Sequence, residues 1–172
     1  YAWQSSGYYA LAAIDTGRGK LVKALDQIEC SLRTNTMNLK ARGLKASLLR
    51  RTGRSDEASL LVRETLSMDP LDFRSIVEEF LLDADIAQNT NKLLGAFDGD
   101  IQAALDIAYD YMAEGLFDEA LRLLQVVTKG TKSQYPMLFY TLWRIADHLD
   151  DKALACEYAQ IAAGADPLYC FP

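Results

Sequence analysis

The chain has 172 residues, half of them hydrophobic, which is enough for one domain with a sizeable buried interior. A net charge of -6 and a pI near 4.8 argue against a general nucleic-acid binder, because phosphate contacts require a basic field. No apolar run approaches the roughly 18 residues that span a bilayer and no charged-then-apolar signal pattern opens the chain, so no membrane partner is expected and the cytoplasm is the expected compartment. Because it begins at Tyr1 rather than Met, the sequence reads as a fragment of a longer protein.

Helical periodicity runs almost from end to end and predicts an all-α chain of about five antiparallel hairpins. The first, about 5–36, turns at Gly17-Arg18-Gly19, with Ala12 facing Ala24 and Ile28 filling beside them. The second, about 39–70, is the most regular. Ala41, Leu44, Lys45, Leu48 and Leu49 return at three- and four-residue steps, and Thr52-Gly53-Arg54 then stops the helix. Ser55 is placed to cap the next helix, which runs through Ala58, Leu61, Val62, Thr65 and Leu66, with Asp56 and Glu57 at the positive end of its dipole. Pro70 closes the unit, since proline cannot continue helical hydrogen bonding.

The third hairpin, about 73–98, is expected to be shortened and irregular, its first helix carrying Ile76, Val77, Phe80 and Leu81 and its second occupying Ile86 to Leu94. The alternative is a hinge between two half-domains. The fourth, about 101–131, turns at Glu114-Gly115-Leu116, with Ala108 facing Ala120 and Leu124 beside it. The fifth, about 136–167, puts Trp143 where the other first helices carry alanine. Ala155, Ala159 and Ala162 make its second helix slim, which predicts that a large ring is accommodated by alanines opposite.

The spacing repeats. Ala58 follows Gly53 by five residues and Ala46 by twelve, and Ala24 and Ala120 stand at the same offsets from Gly19 and Ala12 and from Gly115 and Ala108. Ala24 and Ala58 are 34 residues apart. Small residues at these places let two helix backbones cross closely while Leu49 and Val62 fill the space beside them. On Ala46, Leu49, Gly53, Ala58, Val62 and Pro70, and again on Ala108, Tyr111, Gly115, Ala120 and Leu124, the chain resembles the tetratricopeptide repeat family, whose unit has this period. The resemblance covers nearly the whole chain except 73–100. It implies a right-handed superhelical α-solenoid whose first helices line a concave groove for an extended peptide or a partner helix.

Placing each first helix in the family orientation predicts a groove wall of Tyr9, Lys40, Arg50, Arg51, Arg74, Tyr109, Met112, Met137, Tyr140, Arg144 and His148. Arginine offers carboxylates a planar fork and tyrosine offers area with a polar tip, so a protein or peptide partner, acidic or presenting a C-terminus, is expected. A solvated helix end is the alternative for Arg50, Arg51 and Arg54. Chaperone-binding members of the family hold a terminal carboxylate with a Lys/Asn/Arg clamp; Tyr9, Ala13, Gly43 and Ser47 stand in much of its place here and disfavour that ligand.

Catalysis is not expected, and neither is a cofactor or a metal. His148 is the only histidine, and Asp147, Asp150 and Asp151 beside it lack the ligand order and turn glycine of a calcium loop and fit a polar turn with Asp150 or Asp151 capping the next helix. Cys30, Cys156 and Cys170 form neither an even disulfide set nor a metal pair and read as buried or half-buried thiols. Glu78 and Glu79 read as a solvated face. Two further expectations concern context. The apolar Tyr169, Cys170, Phe171 and Pro172 suggest self-association through the C-terminal end. The segments Asp69-Pro-Leu-Asp-Phe73 and Asp166-Pro-Leu-Tyr-Cys-Phe-Pro172 resemble parts of a large bacterial protein group that joins a β-rich domain of uncharacterised function to such repeats, near carbohydrate-metabolism genes. That likeness implies an array that positions a carbohydrate-active domain.

Overall fold

The computed structural model describes residues 2–82, 86–130 and 135–165. Among them the chain forms α1 (Ala2–Gly17), α2 (Leu21–Thr34), α3 (Leu39–Arg51), α4 (Ser55–Met68), α5 (Phe73–Leu82), α6 (Ile86–Phe97), α7 (Ile101–Ala113), α8 (Phe117–Gly130), α9 (Pro136–His148) and α10 (Lys152–Gly164), and no strand. Helix α6 continues three residues past the expected Leu94, through Gly95. The chain divides into two compact units: Tyr1–Ala96 with Ala113–Gly115, and Phe97–Met112 with Leu116–Pro172. The Tyr169–Pro172 segment lies outside the described residues.

Four turns are built alike. The backbone N–H of Lys20 donates to Asp15 O (2.8 Å), Arg54 to Leu49 (2.9 Å), Leu116 to Tyr111 (2.8 Å) and Asp151 to Ala146 (3.0 Å). The residue before each donor is left-handed: Gly19, Gly53 and Gly115 have φ of 73°, 79° and 76°, and Asp150 has 61°. A side chain is strained there, which is why glycine ends three of these four helices, and aspartate is among the residues that tolerate it best. The same turn makes Arg54, not Ser55, the cap of α4: Ser55 is the first helical residue and no side-chain cap bond forms.

The loops joining hairpins repeat as well. Asn35 Oδ1 accepts from Met37 N and Asp69 Oδ1 from Leu71 N, both at 3.0 Å. Three residues further on, Asn38 accepts from Ala41 N (3.2 Å) to cap α3, and Asp72 from Ser75 N (3.1 Å) at the start of α5.

In the first unit Ala12, Ala24, Ala46 and Ala58 are at most 1% exposed, with Ile28, Leu44, Leu48, Leu49 and Val62 packed around them. Each such aliphatic side chain contributes about 1.5–3 kcal/mol by burial. Helix α3 packs on α1 and α2 on one side and on α4 and α5 on the others. In the second unit Ala108 and Ala120 are fully buried, and α9 packs on α8 and α10.

Trp143 departs from expectation. It is 43% exposed, and α9 instead turns Leu138, Leu142, Ile145 and Ala146 inward, with Ala155, Tyr158 and Ala162 buried on α10. The ring is therefore only partly enclosed.

Candidate functional site

Helices α1, α3 and α5 lie side by side in the first unit and carry Tyr9, Arg50 and Arg74 to one polar network. The Tyr9 hydroxyl donates to Glu114 Oε1 (2.9 Å), and Arg74 Nη2 donates to Glu114 Oε2 (2.7 Å) and to Ser47 Oγ (2.8 Å). Ser47 Oγ donates to Glu78 Oε1 (2.5 Å), whose other oxygen accepts from Arg50 Nε (3.0 Å). Two guanidinium groups thus face two carboxylates. Glu78 is fully buried, Glu114 is 1% exposed and Arg74 7%. Charges taken out of water are costly unless paired and hydrogen-bonded, and this network supplies both conditions.

Local sequence explains the placement. On α3, Gly43, Ser47 and Arg50 recur at four and three residues and share one face, while Arg74 and Glu78 are one turn apart on α5. Gly43 makes room: a β-carbon there would sit 2.6 Å from Arg74 Cγ. The chain thus uses Gly43 and Ser47, which stand where a carboxylate clamp is expected in chaperone-binding repeats, to pass Arg74 across α3. Burial by itself would raise the Glu78 carboxyl. The charges of Arg50 and Arg74 and the hydrogen bonds from Arg50 and Ser47 outweigh it and hold the group below the usual carboxylate range.

Glu78 is therefore not part of a solvated face, because α5 is covered on almost every side and its acid is matched by arginines from two helices. Its neighbour Glu79 does reach solvent, paired with Lys92. Arg54 pairs with Glu57 through two 2.6 Å hydrogen bonds at the exposed start of α4. Lys40 and Arg51 are exposed on α3 and extend the stripe of Gly43 and Ser47 at its two ends.

The remaining candidates belong to the second unit. Tyr109 shares a 3.1 Å hydrogen bond with Thr141, and Met112 is half-buried. Met137, Tyr140 and Arg144 are exposed along α9. His148 stacks on Phe117, ring centroids 3.6 Å apart and 21° from parallel. Asp151 caps α10 by accepting from Leu154 N (3.0 Å), while Lys152 takes Asp147 (2.9 Å) and Asp150 (3.3 Å). Among the described residues no group of three or more His, Cys, Asp or Glu side chains is placed to hold a metal. Cys30 is half-buried, but Cys156 is exposed on α10 rather than packed beside the alanines, and Cys170 lies outside the described residues.

Sequence reasoning missed Ser47, Glu78 and Glu114 as members of this network. Only the Arg74–Glu78 pair, one turn apart on α5, is of short range; the hydrogen-bonded partners of the network stand 27 to 105 residues apart.

Helical hairpins at a 34-residue spacing, crossing on paired alanines and laying their first helices side by side, define a tetratricopeptide-repeat-like fold. Solved structures bear this out. MamA 41-end from Desulfovibrio magneticus RS-1 matches with a TM-score of 0.51 at 14% identity, over 93% of each chain. Pseudomonas aeruginosa pilF matches at 0.51 and 17% identity, over 94% of this chain and 78% of that one. A tetratricopeptide repeat protein from Parabacteroides merdae ATCC 43184 matches at 0.50 and 19%, over 95% and 66%. At these identities the likeness is one of fold. No protein-family model matches the chain, and no curated protein matches it.

Proposed function

We propose that the chain is a non-catalytic interaction scaffold that holds an acidic peptide segment of a partner protein against the first-helix face of its first unit. The observation that carries this reading is the convergence of Tyr9, Ser47, Arg50 and Arg74 on carboxylates. The buried part of that chemistry is taken up by Glu78 and Glu114 and fixes the helices. Lys40 and Arg51, exposed at the two ends of the same α3 stripe, are the groups that meet a ligand carboxylate. Among the described residues no helix is long and apolar enough to cross a membrane.

A fluorescein-labelled hexaglutamate peptide tests the reading by anisotropy at low salt. Binding is expected, and the double variant Lys40→Glu, Arg51→Glu should weaken it at least tenfold while leaving the circular dichroism unchanged. Absence of binding at millimolar peptide, or binding indifferent to the double variant, overturns the assignment.

A further inference from the structure

Charge is unevenly spread along the chain. Residues 1–96 hold thirteen basic and twelve acidic side chains, and residues 97–172 hold five and twelve, so the excess of acid lies in the second part. Within the first unit, positive charge gathers at the turns inside the first two hairpins. Left-handed Gly19 and Gly53 are followed directly by Lys20 and Arg54, with Arg18, Lys23 and Arg51 close to them in sequence. Helix α3 packs on both α1 and α2, which makes these two turns neighbours at about one helix spacing, roughly 8–10 Å.

Most of the acids at this edge are already engaged. Asp15, only 3% exposed, holds Lys23 at 2.9 Å, and Glu57 holds Arg54 at 2.6 Å. Asp56 lies in the first turn of α4, at the positive end of that helix. Arg18 and Lys20 are exposed, and among the described residues no carboxylate stands within ion-pair distance of either. Adjacent unmatched cations suit a run of carboxylates. A nucleic acid is the poorer match in a chain of net charge -6.

Length connects this edge to the α3 stripe. Lys40 and Arg51 are eleven residues apart, which is about 16 Å along the helix axis. An extended peptide advances about 3.3–3.6 Å per residue, so six residues span the stripe in about 20 Å. Six more add about 20 Å, enough to pass Arg54 and cross the neighbouring turn.

We infer that the acidic segment of the partner is longer than the stripe: it leaves α3 at Arg51, rounds the end of that helix past Arg54 and sets further carboxylates against Lys20 and Arg18. This path rests on the proposed binding of an acidic peptide along α3 and adds a second surface to it. The two turns lie inside hairpins of one unit, and the ligand bridges them from the outside.

Fluorescein-labelled hexaglutamate and dodecaglutamate, titrated by anisotropy at about 0.15 M salt, test the path, because exposed charges there act over only about 8 Å. In the double variant Arg18→Gln, Lys20→Gln the Kd of dodecaglutamate should rise at least fivefold while that of hexaglutamate changes less than twofold, with circular dichroism unchanged. An equal change for both peptides, an unchanged dodecaglutamate Kd, or no dodecaglutamate binding at millimolar peptide overturns the path. Tighter binding of a labelled twelve-residue oligothymidylate, lost in the same variant, overturns the choice of a protein partner. Failure of the groove reading has its own signature: Lys40→Glu, Arg51→Glu then leaves hexaglutamate binding unchanged, and the path falls with it.

Discussion

Arg74 crosses α3 directly over Gly43: a carbon added at the glycine would stand 2.6 Å from Arg74 Cγ, and Ser47 receives the guanidinium one turn further on at 2.8 Å. Gly43→Ala gains about 1 kcal/mol of helix propensity and loses about 1–3 kcal/mol by displacing a stem that is held at its far end by Glu114. The net expectation is a loss of about 1 kcal/mol. A urea midpoint equal to or above wild type would show that the stem relaxes freely.

Glu114 receives Tyr9 and Arg74 on its two oxygens and is almost wholly buried. Removing the charge while keeping the shape, as in Glu114→Gln, sacrifices a charge-assisted hydrogen bond and leaves a buried guanidinium short of its counter-ion, for about 1.5–3 kcal/mol. Tyr9→Phe removes one hydrogen bond to the same carboxylate and should cost about 1 kcal/mol. The order of the two losses, read from thermal melts, is the check; a larger loss in Tyr9→Phe would mean that Arg74 does not depend on Glu114.

How far the sequence discloses this molecule follows from the range of each interaction. The Ala46 and Ala58 crossing and the Gly53 turn are legible because their spacing is short and recurs. Arg74 and Glu114 are 40 residues apart and belong to no pattern, so the arginines are visible as a cluster while the acids that engage them are not. Trp143 shows a different limit: its register position is readable, but how far its ring is enclosed is not, and 43% of it stays exposed. The sequence-based reading of volume compensation expected the alanines of α10 to enclose it.

Asp150 holds φ at 61° where the equivalent turns use glycine. Left-handed backbone costs an ordinary residue about 1–2 kcal/mol, and somewhat less for aspartate. Asp150→Gly removes that strain together with a 3.3 Å ion pair to Lys152 that is exposed on both sides and worth about 0–1 kcal/mol. The expected result is a melting temperature about 2–4 °C higher. A lower melting temperature would show that the ion pair outweighs the strain.

Glu78 sets an acid limit on the first unit. Its carboxyl is held below the ordinary value in the folded chain, whereas the unfolded chain has a glutamate near about 4.3. The folded state therefore binds fewer protons, so the stabilisation is fully present above the unfolded value and is lost as pH falls through the folded one. Glu78→Gln cannot titrate: it should be less stable than wild type at about pH 7, and the gap between the two urea midpoints should narrow on acidification to about pH 3. A gap that stays constant across that range would mean that folding leaves the Glu78 pKa unchanged, and a gap that widens would mean that the group is neutral in the folded chain.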